Sequence, residues 1–137
     1  MRQLEKYVIS GVRYIVWDEM AGEMPETAGC MRLMDAGDGI GGDRLVVIDG
    51  RNAKDVRVFD AKGRETVLDD AARYAAALCF GKQGQAMQAA SLLNAMERSS
   101  RVSLAETEPE HCEVRLTECF CRGILGKTLC STSVLAG

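Results

Sequence analysis

The chain has a single histidine, His111, and beside Pro109 and Glu110 it reads as a solvated turn residue rather than a general base. No Ser-His-Asp arrangement can be argued from it. No stretch approaches the roughly 18 to 20 apolar residues that cross a bilayer, and the opening MRQLEKYVIS lacks the apolar core of a signal peptide. These absences predict a cytoplasmic protein with no membrane association. Neither charge dominates: 17 basic and 20 acidic residues give a formal charge of -3 and intermingle along the chain, without the basic stripe that nucleic acid requires. No nucleic-acid partner is expected. The six cysteines are Cys30, Cys79, Cys112, Cys119, Cys121 and Cys130. Without a secretion signal they read as reduced thiols rather than a disulfide framework.

The 137 residues, 47% apolar and 27% charged, suit one globular domain over residues 1–137. Tyr7-Val8-Ile9 and Tyr14-Ile15-Val16-Trp17 are β-rich runs either side of a tight return at residues 10–13. Residues 19–29 are turn-rich, and 30–36 predict a short helix before a glycine cluster at Gly37, Gly39, Gly41 and Gly42. Residues 44–49 and 55–60 predict two more strands, the second ending in the turn Ala61-Lys62-Gly63. Thr66-Val67-Leu68-Asp69 fits a capping pattern, so a long or broken helix is expected over 66–98. Its apolar face is Leu68, Ala71, Ala72, Ala75, Leu78 and Cys79, interrupted near Gly81 and Gly84. Strands are expected again at 101–105 and 111–121.

Cys119 and Cys121 share one face of the last strand, with His111 and Cys112 just upstream, so these four are the candidate metal ligands. Their spacing matches neither the C-x₂-C nor the H-x₃-H pattern of structural zinc, and cysteine commonly serves as a small core hydrophobe. No metal or cofactor is therefore expected. Asp35, Asp38 and Asp43 superficially suggest a calcium loop but lack the EF-hand order. Gly126-Lys127-Thr128 lacks the remainder of a phosphate-binding loop.

Three stretches, in order, resemble the diaminopimelate epimerase family. Gly39-Ile40-Gly41-Gly42-Asp43 followed by Leu45-Val46-Val47-Ile48 is similar to that family's GIGAD-plus-strand segment. Val56-Arg57-Val58-Phe59-Asp60-Ala61-Lys62-Gly63-Arg64-Glu65 is similar to its R-x-F-N-A-D-G-S-E strand and turn. Arg13-Tyr14-Ile15-Val16-Trp17-Asp18 resembles its early N-D-F-V-V-I-D strand. The matches span about residues 7 to 80, near the whole of a family N-terminal half. The resemblance implies an α+β fold, a curved, mostly antiparallel sheet around a central helix.

The departures bear on chemistry. The family opens its helix with C-G-N-G, whose thiolate moves the α-proton while exposed N–H groups hold a substrate carboxylate. Here the stretch reads Asp69-Asp70-Ala71-Ala72, and two carboxylates would satisfy the helix dipole from within and repel such a substrate. Val12 stands where the family has an asparagine. Residues 126–133 echo the family's second motif, G-E-T-x-A-C-G-T-G, which would make Cys130 a relic of the second base, yet only residues 131–137 follow it. Asp69, Asp70 and Cys130 are thus the weak catalytic candidates. The expectation is a non-catalytic, stand-alone epimerase half that acts by protein–protein interaction, a regulator or inhibitor of a kind mobile elements carry, binding a protein partner or itself as a homodimer. Two alternatives remain: a homodimeric amino-acid epimerase or isomerase with its cleft rebuilt across the dimer, and a small-molecule binding protein without turnover.

Overall fold

The computed structural model describes residues 2–18, 25–49, 52–116 and 120. Strands β1 (Arg2–Ile9) and β2 (Val12–Asp18) form an antiparallel hairpin in which Ile9 faces Val12 across a two-residue turn. Both turn residues, Ser10 and Gly11, have positive φ, 52° and 80°. Such a turn matches the twist of the flanking strands, which is why Gly sits in it. Helix α1 (Thr27–Met34) follows and buries Gly29, Cys30, Leu33 and Met34 on one face. It ends against the glycine segment, where a Cβ on Gly39 would lie 2.1 Å from the Arg32 carbonyl oxygen. Only glycine can approach that closely. The Ile40 N–H then donates to the Leu33 carbonyl at 2.9 Å, satisfying one of the helix's last acceptors.

Strand β3 (Arg44–Asp49) lies parallel to β2, with α1 supplying the crossover that a parallel pair needs. Strand β4 (Asn52–Asp60) is antiparallel to β3, and the short β5 (Glu65–Thr66) is antiparallel to β4. Three helices follow, α2 (Asp70–Lys82), α3 (Ala86–Ala95) and α4 (Arg98–Glu106). Strand β6 (Glu110–Leu116) closes the described fold antiparallel to β1. The strand order is β5-β4-β3-β2-β1-β6, and β2–β3 is the parallel pair in an otherwise antiparallel sheet. The fold is α+β, as expected.

Alternation along the strands separates two cores. Tyr7, Ile9, Tyr14, Val16, Val46 and Ile48 face α2 and α3, meeting the fully buried Ala72, Ala75, Ala76 and Phe80. Leu4, Ile15, Trp17, Leu45, Val47 and Phe59 face α1, meeting Cys30, Leu33 and Met34. Covered on both sides, β2 and β3 read as unbroken apolar runs, as doubly buried strands do. The small side chains of α2 let its axis come close to the sheet, while Phe80 fills the remaining depth. Helix α1 on the opposite face is an addition to the expected sheet around one central helix.

Three local expectations change. Residues 101–105 belong to helix α4, not a strand: Val102 and Leu104 mimic strand alternation, but Leu104 packs on the α2 core while Val102 is exposed. The helical stretch 66–98 is broken at residues 83–85 and again at 96–97, and starts only at Asp70, because Thr66 of β5 pairs with Val58 of β4. The last strand runs from Glu110 to Leu116, and residues 117–119 and 121 lie outside the described residues.

Candidate functional site

The start of α2 is where the resemblance would place chemistry, and its two carboxylates are both engaged within the fold. Asp69 has extended backbone, φ -90° and ψ 172°, and is the helix N-cap. Its Oδ1 accepts the Ala72 N–H at 2.8 Å, taking up one of the donors that a helix start leaves unpaired. Asp70 accepts from Arg73 Nη1 at 2.7 Å and from the Glu97 N–H at 3.3 Å. Its pKa is held below the usual carboxylate range, chiefly by a hydrogen bond from the Ser100 hydroxyl, then by the Glu97 and Arg73 bonds. Asp70 thereby ties the first turn of α4 to the first turn of α2. A carboxylate whose proton affinity is lowered is a poorer base still. Close by, burial and then the negative charge of Asp69 push the Tyr14 hydroxyl up to about 12, so it stays protonated.

The glycine segment ends in a structural ion pair. Asp43 Oδ2 accepts the Arg13 backbone N–H at 2.8 Å and Nε at 3.2 Å, Oδ1 accepts Nη2 at 3.2 Å, and the Asp43 N–H donates back to the Arg13 carbonyl at 2.8 Å. These bonds hold the Asp43 carboxyl below its ordinary range and pin the start of β3 to the start of β2. Asp35 is also turned inward to its own loop, its Oδ2 accepting the Gly37 and Asp38 N–H groups at 3.0 and 2.7 Å.

Of the thiols, Cys30 and Cys79 are buried. Burial, then the charge of Asp60, pushes Cys30 up to about 11, and burial, then Glu5 and Asp18, pushes Cys79 up to about 12. Neither supplies a thiolate near neutral pH. Cys112 is exposed on β6, but neighbouring strand residues point to opposite faces, and His111 points to the α2 side. The structure therefore does not bring His111 and Cys112 together. Among the described residues no group of three or more His, Cys, Asp or Glu side chains is placed to hold a metal ion. Cys119, Cys121 and Cys130 lie outside the described residues.

Two features went unseen in the sequence. On the α2 side of β1 and β6, Lys82 Nζ bridges Glu5, at 3.1 Å, and Glu113. His111 contacts the Glu5 carboxylate through Nε2 and stacks on Tyr7 with ring centroids 4.8 Å apart. The Glu113 bond raises the Lys82 ammonium, and Lys82 in turn lowers the Glu113 carboxyl. On the other side of the same strands lies an open cleft of 680 Å³, walled by Lys6, Val8, Ile40, Val114, Leu116 and Phe120 and rimmed by Asp38 and Glu110. Lys6 Nζ donates to the Ile40 carbonyl at 3.3 Å across it. Alternating charged and apolar residues in β6 announce its two faces, but partners lying 77 and 31 positions apart leave no local trace.

Among the described residues, no helix is long and apolar enough to cross a membrane. Comparison of the sequence with protein-family models and with curated proteins finds no match.

Proposed function

We propose that this chain is a non-catalytic α+β domain, a relative of one diaminopimelate epimerase half, that acts by protein–protein contact as a cytoplasmic regulator or inhibitor. The observation that carries the non-catalytic reading is the use of Asp69 and Asp70. One is a helix cap through a 2.8 Å bond, and the other is an ion-paired tether between α2 and α4. Neither is available to remove an α-proton, and the buried thiols are raised away from the thiolate form. The same facts count against the dimeric isomerase that would use Asp69 or Asp70. Incubation with diaminopimelate and other amino acids in deuterium oxide should give background exchange at the α-carbon. Exchange that disappears on Asp69→Ala would overturn the proposal.

A second reading, small-molecule binding without turnover, is favoured by the 680 Å³ cleft, a volume within the common range of ligand sites. It predicts a metabolite that copurifies and is lost when Val114→Arg fills the cleft. A clean mass spectrum of the extracted native protein removes it.

A further inference from the structure

We infer that β6 pairs with β6 of a second copy of this chain about a two-fold axis centred on Val114, joining the two sheets edge to edge. This rests on the interaction reading above and names the partner. Strand β6 ends the strand order, and among the described residues no strand lies outside it. Glu110, His111, Cys112, Glu113 and Arg115 are exposed. An edge of this kind is a template for another strand unless its side chains forbid the pairing.

The side chains select a copy of themselves. On the α2 face, Glu5 and Glu113 stand directly opposite each other across β1 and β6, two negative charges in a position that is unfavourable unless bridged. Lys82 bridges them, a single cation between two carboxylates. Arg115 lies on the same face two residues along, exposed, and its charge helps to lower the Glu113 carboxyl of its own chain. Antiparallel pairing centred on Val114 sets Glu113 of each copy opposite Arg115 of the other. Each Glu113 then gains a directly facing guanidinium, once in each copy. On the opposite face the register sets Val114 against Val114 and Cys112 against Leu116, which makes a continuous apolar row. Over residues 112–116 both faces are then complementary at once, and a two-fold edge pairing is isologous, so it closes at two chains instead of growing.

The test is a charge-reversal exchange read by sedimentation equilibrium on the full chain. Wild type should dimerise below about 100 µM. Glu113→Arg and Arg115→Glu should each weaken association at least about tenfold, since each sets like charges face to face twice. An equimolar mixture of the two variants should restore the dimer, because every facing pair is again of opposite sign. Recovery on mixing also shows that neither variant had simply unfolded. In a chain with Cys112, Cys119, Cys121 and Cys130 replaced by Ser, Val114→Cys should form a disulfide-linked dimer on mild oxidation, as directly opposed strand positions lie within bridging distance. A wild-type monomer at about 100 µM, single variants that dimerise like wild type, or a mixture that stays monomeric overturns the proposal. So does a native dimer crosslinked through Cys112 to Cys112, which would place the two-fold axis two residues away and shift the register by four. A monomer with background α-proton exchange refutes the second copy and leaves the non-catalytic reading standing, whereas a dimer with exchange activity does the reverse.

Discussion

Replacing Asp69 separates a helix cap from a catalytic carboxylate, because the two roles rank the same substitutions differently. Asp69 Oδ1 takes the Ala72 N–H at 2.8 Å, and the negative charge lies at the positive end of α2. Asp69→Ala loses both, about 1 kcal/mol for the cap and about 0.5 kcal/mol for the charge at the dipole. Asp69→Asn keeps an acceptor of the same shape and loses only the charge contribution, about 0.5 kcal/mol. Thr66→Ala removes a side chain from β5 that makes no cap, and should cost less than about 0.5 kcal/mol. For 137 residues the entropy of unfolding is about 0.29 kcal/mol/K, so 1 kcal/mol moves Tm by roughly 3.5 °C. The expected losses are therefore about 5 °C for Asp69→Ala and about 2 °C or less for the other two. Urea and thermal melts at pH 7 measure all three. A Thr66→Ala loss equal to that of Asp69→Ala would refute the cap assignment, as would an Asp69→Asn loss as large as the alanine variant's.

Phe80→Ala should cost about 3–5 kcal/mol, since its fully buried ring spans the gap between an alanine-lined helix and the sheet. Val67, 86% exposed, should tolerate alanine within about 0.5 kcal/mol, and a Val67→Ala loss rivalling Phe80→Ala in denaturant melts would contradict the burial argument. The Asp43 and Asp70 carboxyls are depressed in the folded state, so the stability they contribute is complete above the ordinary carboxylate range near about 4 and is lost as pH falls through their lowered values. Asp70→Asn should flatten the acid limb of a urea-midpoint profile between neutral and strongly acidic pH, and an unchanged limb speaks against the tether. Native thiol labelling followed by peptide mapping should modify Cys112 well before Cys30 and Cys79, which should react only on unfolding. Fast native labelling of Cys79 would contradict its burial between α2 and the sheet.

Much of the sheet was legible locally. Ser10-Gly11 between two β-rich runs specifies a hairpin, because the positive φ values of a two-residue return suit few other sequences. The unbroken Tyr14-to-Trp17 and Leu45-to-Ile48 runs record burial on both faces, with α1 on one side and α2 on the other. The capping pattern correctly marked the beginning of α2 near Asp69, although the hydroxyl of Thr66 belongs to a strand. Residues 101–105 were ambiguous because Val102 and Leu104 satisfy a strand period as well as a helical one over so short a span. Packing of Leu104 onto α2, with the Asp70 bond to the Glu97 N–H, settled the segment as helix. The same distance dependence hid the roles of the charged groups. Asp70, Glu5 and His111 are ordinary residues in the sequence, and their partners Ser100, Lys82 and Tyr7 reach them only after the chain has folded back. Short-range periodicity records which face of an element is buried. Which carboxylate becomes a cap, a tether or part of an edge depends on contacts between distant segments, and these form only when core packing offsets the entropy of closing the loops between them.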